Sequence, residues 1–213
     1  MIKDISILIT ESHIHLYSPR PLNALSSGVV GGGFQKTRHI LNLKVDKNYA
    51  GANPAADLRR FAREKGIHEN FIGMMTAASV GAAVPVFLTE HGLTVGALVT
   101  MGMSNAACAG VTPPFLPNSA GTINIILLLQ ARLSRAALVN AVITATEAKT
   151  AVLSELGYRA QDGHPATGTS TDSMVIAAAN EGDTIQYAGT ATLAGWLIAR
   201  AVRQSISQLH TKK

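Results

Sequence analysis

Apolar residues alternate with polar ones at Ile5, Ile7 and Ile9 and again at Ile14 and Leu16, which predicts two opening strands, and the stretch from Ile40 to Val45 predicts a third. Pro54 after Asn53 marks a helix start and Gly66 a stop, so Ala55 to Lys65 reads as a short basic helix. Phe71 to Met75, Leu93 to Met101 and Gly121 to Leu127 read as buried strands followed by small polar residues. Ser134 caps the clearest helix, Arg135 to Leu156, which ends at Gly157. Leu138, Val142, Ala145, Val152 and Leu156 make its apolar stripe, and Lys149 falls inside that stripe. A last helix is predicted from Thr192 to Gln208. Strands and helices mix without strict alternation, and no repeat or linker cuts the chain. The expected fold is α+β or irregular α/β, a single layered domain over residues 1–213 with a mixed sheet packed by helices.

A chain of 213 residues can bury a core without staples, and 47% hydrophobic against 15% charged residues excludes disorder. The scarcity of charge, with nearly uncharged stretches from Met174 to Ala179 and Tyr187 to Ala199, predicts surface buried in a homo-oligomer, most simply a dimer. Asn124 and Arg200 interrupt the longest apolar runs well short of a bilayer-spanning length, so a soluble chain is expected, with no membrane partner. The start Met1-Ile2-Lys3-Asp4 lacks the features of a signal peptide, and the single cysteine, Cys108, precludes an intrachain disulfide. Both favour the cytoplasm. The net charge of +5 is spread out except for Arg59, Arg60, Arg63 and Lys65 and the terminal Lys212-Lys213. Without interleaved aromatic residues this cluster reads as a solvated helix face, and nucleic acid is not an expected partner.

Several short patterns invite a chemical reading. His13 and His15 would share one face of a strand, a geometry that suits a zinc pair, although two half-exposed strand histidines are the plainer reading. Cys108 sits among alanines with nothing adjacent to lower its pKa, and Asp162-x-His164 reads as a turn. The glycines of Ser26 to Gly33 lack the spacing of a dinucleotide fingerprint and no phosphate-binding loop occurs, so no cofactor is expected; with no cysteine cluster and only the His13 and His15 pair, no metal is expected. Two segments stand out. In Thr144 to Lys149, Glu147 and Lys149 are two apart on a helix and face different sides, so Lys149 needs another partner or must snorkel to solvent. In Ala166 to Ser173, four hydroxyls between Thr169 and Ser173 surround one carboxylate, Asp172, in what reads as a flexible stretch.

The set Gly73 to Ala78, Met103 to Ala106, Gly121 to Leu127, Thr144 to Lys149, Ala166 to Ser173 and Tyr187 to Thr190 resembles the adenosylcobinamide amidohydrolase family, CbiZ, in order and spacing over nearly the whole chain. The sequence departs from that pattern at Ser170, where glycine is expected, and near Ala191, where many relatives carry histidine. The resemblance implies an enzyme of cobinamide salvage. Its substrate would be a corrinoid, adenosylcobinamide, whose aminopropanol amide is hydrolysed to give adenosylcobyric acid for coenzyme B12 synthesis.

Amide cleavage needs a nucleophile, a stabilised oxyanion and a proton for the departing amine. Chemistry therefore nominates Lys149 as base or proton donor, Asp172 to orient it, and Ser173, Thr171 or Thr169 as nucleophile. Glu147 would instead activate a water directly. Backbone N–H groups around Gly168 and the amides of Asn105 and Asn124 are candidate oxyanion or substrate contacts, with Thr76 a weaker one. Asn105 and Asn124 are also expected to read the substrate hydroxyl, and Asp172→Asn is expected to leave the thermal midpoint nearly unchanged. Two rivals follow from the same residues: a non-enzymatic corrinoid-binding protein, and a metal-dependent amidase using His13 and His15.

Overall fold

The computed structural model describes residues 2–114 and 121–212. The elements follow in the order β1 (Ser6–Ile9), β2 (His13–Ser26), β3 (Gly33–Lys44), α1 (Pro54–Glu64), β4 (Phe71–Thr76), β5 (Val86–Glu90), β6 (Leu93–Met101), β7 (Ala106–Ala107), β8 (Ile123–Leu129), β9 (Arg132–Leu133), α2 (Arg135–Glu155), β10 (Gly168–Thr169), β11 (Ser173–Ala178), β12 (Thr184–Ile185) and α3 (Leu193–Thr211). Eight strands form one mixed sheet ordered β4-β3-β2-β11-β8-β6-β5, with β1 paired to β2 off that path. The pairs β3–β4 and β8–β11 are parallel and the rest of that sheet is antiparallel. The expected α+β fold is what forms.

The helix ends obey local chemistry. Asn53, Ser134 and Thr192 each accept a hydrogen bond from the backbone N–H three residues on, capping α1, α2 and α3. Gly66 and Gly157, at φ of 75° and 72°, follow the ends of α1 and α2 in the left-handed region that glycine tolerates. β6 and β8 are buried along their whole length, so their side chains feed clusters on both faces. Ile123, Ile125, Leu127 and Leu129 pack with α2 and α3, whereas Ile126 and Leu128 join Ile14, Leu16, Ile40, Ile72 and Val175 in a second cluster. A third, smaller cluster seats Leu58 and Ala62 of α1 on Leu41 and Phe71. Among the described helices, α2 alone is long and apolar enough to cross a membrane, and half of that apolar window is buried inside the fold.

Two expectations are corrected. Residues 173–178 are the central strand β11, inserted between β2 and β8. Its residues Val175 to Ala178 are fully buried by this chain's own neighbours, so this stretch is uncharged because it is core and supplies no surface for a second subunit. The second opening strand is also far longer than the short alternation implied. A register shift between Tyr17 and Leu22 lets β2 continue through Pro19 and Pro21 to Ser26.

Candidate active site

The site gathers where the β3–β4 crossover, the start of β8 and the segment before β11 meet. Lys149, on the buried face of α2, is 8% exposed, and its ammonium donates to Asp172 Oδ2. The partner that the apolar stripe left missing is therefore the carboxylate of the hydroxyl-rich segment. The other oxygen, Asp172 Oδ1, accepts the Thr169 hydroxyl and the backbone N–H groups of Thr169 and Ile123, both at 3.1 Å. Four donors thus converge on one carboxylate and fix it beside the lysine. Gly168 leaves the room they need: a Cβ there would fall 2.3 Å from Asp172 Oδ2 and 2.6 Å from Lys149 Nζ.

The hydroxyls around this pair differ in what they already do. The Thr169 hydroxyl is spent on Asp172, and Thr171 Oγ1 donates to the Gly121 carbonyl at 2.6 Å. Thr122 Oγ1 lies 2.8 Å from the Thr171 carbonyl and 3.0 Å from Asn124 Oδ1. Among the described residues the Ser173 hydroxyl has one contact, 3.3 Å to Ser27 Oγ, and Ser173 lines both cavities at the site. One is an open cavity of about 630 Å³ whose lining includes the apolar Val29, Val45, Met74 and Met75 and the polar Asn105, Asp172 and Ser173. The other, about 160 Å³, reaches Lys149 between Ile125, Val142 and Met174. Ser27, Asp172 and Ser173 line both.

Ser27 escaped the sequence reading, which saw only a glycine-rich turn. The backbone N–H of Met174 donates to Ser27 Oγ at 2.9 Å, which leaves the serine proton free to point at Ser173. Nothing in the local sequence signals this, because Ser27 and Ser173 are brought together only by β2–β11 pairing. Behind Ser27, Gly28 packs so closely on β4 that a Cβ would lie 2.8 Å from the Gly73 carbonyl.

The remaining nominated residues divide. Asn105 lines the large cavity, and its amide donates to Ser170 Oγ at 2.8 Å, with Thr171 Oγ1 at 3.4 Å. Thr76 lines the cavity, with its hydroxyl accepting from the Ala78 N–H. Asn124 is 1% exposed and donates to Asn42 Oδ1 and the Met75 carbonyl at 2.8 and 2.9 Å, so it braces the cavity wall from behind. Glu147 is exposed on the outer face of α2 and lines neither cavity.

His13 and His15 lie at the opposite end of β2 from Ser26, roughly 35–45 Å away along an extended strand. His15 Nε2 is 2.9 Å from His39 Nδ1, and His39 Nε2 is 3.1 Å from Glu69 Oε1. Burial, followed by the neighbouring imidazoles of His39 and His13, lowers the pKa of His15 to about 4. His13 Nδ1 is 3.0 Å from the hydroxyls of both Thr10 and Ser12. No group of three His, Cys, Asp or Glu side chains placed to hold a metal occurs among the described residues.

Comparison with known proteins gives this geometry a context. The sequence matches the family described as adenosylcobinamide amidohydrolase, CbiZ, over residues 2–213. It is 34% identical to the adenosylcobinamide amidohydrolase of Methanosarcina mazei over 192 residues, which cover 86% of this chain and 87% of that one. The adenosylcobinamide amidohydrolase of Halobacterium salinarum is 35% identical over 156 residues, covering 65% of this chain and 64% of its own. Among solved structures, the PH0078 protein from Pyrococcus horikoshii OT3 superposes with a TM-score of 0.52 at 14% identity, covering 97% of this chain and 82% of that one, a likeness of fold alone. With the family match running nearly end to end and a relative sharing a third of its residues, the chain belongs to the adenosylcobinamide amidohydrolase family.

Proposed function

We propose that this protein hydrolyses the amide joining aminopropanol to the corrin side chain of adenosylcobinamide, yielding adenosylcobyric acid within cobinamide salvage. The observation that carries the reading is the Lys149–Asp172 pair set beside Ser173, whose hydroxyl faces both the open cavity and the pocket that reaches the lysine. A corrinoid exceeds 630 Å³, so the cavity receives only the edge of the ring that bears the scissile side chain. In this reading the apolar lining residues meet the ring and the polar ones meet the amide.

In this reading Ser173 Oγ attacks the amide carbon while Lys149 delivers a proton to the departing nitrogen, and the serine proton replaces it on the lysine. Aminopropanol leaves, and a Ser173 ester remains. Water then attacks the ester by the same exchange and restores the serine hydroxyl. Asp172 keeps the ammonium in place through both halves, and Ser27 holds Ser173 at its end of the cavity. Asn105 is the side-chain amide best placed to meet the substrate, since it lines the cavity beside Thr171. A single free thiol and no disulfide suit the cytoplasm, where we place the enzyme.

The test is incubation of the purified protein with adenosylcobinamide and measurement of released aminopropanol. Wild type is expected to turn over. Ser173→Ala is expected to lose about 10² or more in kcat, the scale of a lost catalytic group, while keeping its thermal midpoint. Binding of the corrinoid without release would make the protein a carrier, and full activity of Ser173→Ala would move the attack to water.

A further inference from the structure

Along α1 from the large cavity lies a second concavity, about 380 Å³, between that helix, the start of β4 and the turn at Val30 and Gly31. Arg59 and Arg63 line it, one helical turn apart and on one face. The carboxylates of their own helix are taken elsewhere. Arg60 lies 2.9 Å from Asp57 and 4.0 Å from Glu64, and the Tyr49 hydroxyl also donates to Asp57 at 2.7 Å. Arg59 and Arg63 have no acidic partner among the described residues. One carboxylate does lie in the wall, that of Glu69, but its Oε1 is 3.1 Å from His39 Nε2. Gln35, His68 and Asn70 supply the rest of the polar lining, with the Gln35 amide donating to the Gly31 carbonyl at 2.6 Å.

Two guanidiniums without an ion-pair partner among the described residues, set against the single carboxylate of Glu69, leave the lining net positive and suited to an anion. Each presents a planar fork of N–H donors that matches phosphate oxygens two at a time, and a hollow of this volume falls in the range of small-molecule sites, about 300–1,000 Å³. We propose that this groove binds a small phosphate-bearing ligand, clamped by Arg59 and Arg63, with Gln35, His68 and Asn70 reading what the phosphate is attached to. The site is distinct from the hydrolytic one and does not depend on that assignment. The two are nevertheless neighbours through one loop: Val29 lines the large cavity, and Val30 and Gly31 line the groove.

Calorimetric titration of the full chain with inorganic pyrophosphate at low ionic strength tests this, with sodium chloride at matched ionic strength as the blank. Wild type is expected to bind one pyrophosphate per chain saturably. The double variant Arg59→Gln/Arg63→Gln is expected to weaken binding by about tenfold or more, as for loss of charge-assisted contacts, whereas Arg60→Gln stays within about twofold. Absence of saturable binding to wild type would overturn the proposal. So would an equal loss in Arg60→Gln, which would reveal a diffuse response to net charge. The three arginines are exposed, and equal thermal midpoints for all variants verify that the comparison is of binding alone.

Discussion

Asp172 accepts four donors, and this changes what its removal should do. The sequence presents it as a lone catalytic carboxylate whose amide variant would fold normally. In the structure, Asp172→Asn strands the Lys149 ammonium, whose side chain is only 10% exposed, next to an amide. Breaking a buried pair from one side costs about 3–5 kcal/mol, and the lower end applies here because the Asp172 side chain keeps 20% exposure. At about 2–4 °C per kcal/mol for a chain of this size, the thermal midpoint is expected to fall by about 6–12 °C. Lys149→Met is expected to be milder, since Asp172 retains three donors and the methionine remains in its apolar stripe. Thermal unfolding of both variants checks the order, and equal midpoints for wild type and Asp172→Asn would contradict it. Both should be inactive at temperatures where they are folded.

At the scale of elements, Asn124 belongs to the framework. From the first turn of β8 it ties together β3 through Asn42 and β4 through the Met75 carbonyl, while Thr122 donates to its oxygen. Asn124→Ala leaves the buried Asn42 Oδ1 without this donor, at about 1–3 kcal/mol, and frees the part-buried Met75 carbonyl. The expected outcome is a lower urea midpoint with unchanged preference for adenosylcobinamide over an analogue carrying propylamine. Altered preference would return Asn124 to the substrate. The end of β2–β3 that carries the histidines has its own signature. The pKa of His15, lowered to about 4 in the folded chain from an ordinary 6.5, means that the unfolded chain binds the extra proton between those values. Stability from this group is complete above pH 6.5 and drains away as the pH falls towards 4. Burial lowers the pKa of His13 as well, which adds in the same direction. Urea midpoints measured between pH 7.5 and pH 5 should decline, and His15→Gln should flatten the decline; a pH-independent midpoint would remove the argument.

These cases also mark where the sequence was legible. The caps, the stops and the interiors of α1, α2 and α3 were readable within a few residues, because each rests on neighbours close in the chain. That Lys149 needed a partner was readable too, from its place in an apolar stripe. β11 was half hidden: its apolar residues were visible, but a parallel pairing with β8 is specified by nothing nearby. The role of Ser27 was invisible for the same reason, and so was the exclusion of Asn124 from the cavity, which depends on two strands that flank it in space.

For the molecule as a whole, the case for a homo-oligomer now rests on the second of its two uncharged stretches, Tyr187 to Ala199. With residues 174–178 absorbed into the sheet, the uncharged stretch that still reaches the surface is the one around α3, where Tyr187 is 67%, Trp196 42% and Leu193 37% exposed. Arg200 covers the Trp196 ring at 4.5 Å without removing it from solvent. We retain a dimer as the expected state, with Trp196→Glu shifting sedimentation towards the monomer; a wild-type monomer at every concentration would end this expectation.

The place of β11 has one more consequence, for how the protein comes into being. Through the sheet, β1 to β4 are joined to β5, β6 and β8 only by this strand, which is made after most of the chain has left the ribosome. Until residue 178 emerges, the two half-sheets have no shared backbone ladder, and Ser173 has no strand to hold it against Ser27. Pairings so distant along the chain are slow to find one another. A nascent chain halted before this strand therefore lacks both the backbone ladder between its half-sheets and Ser173, and the proposed catalytic group arrives with the strand that closes the architecture.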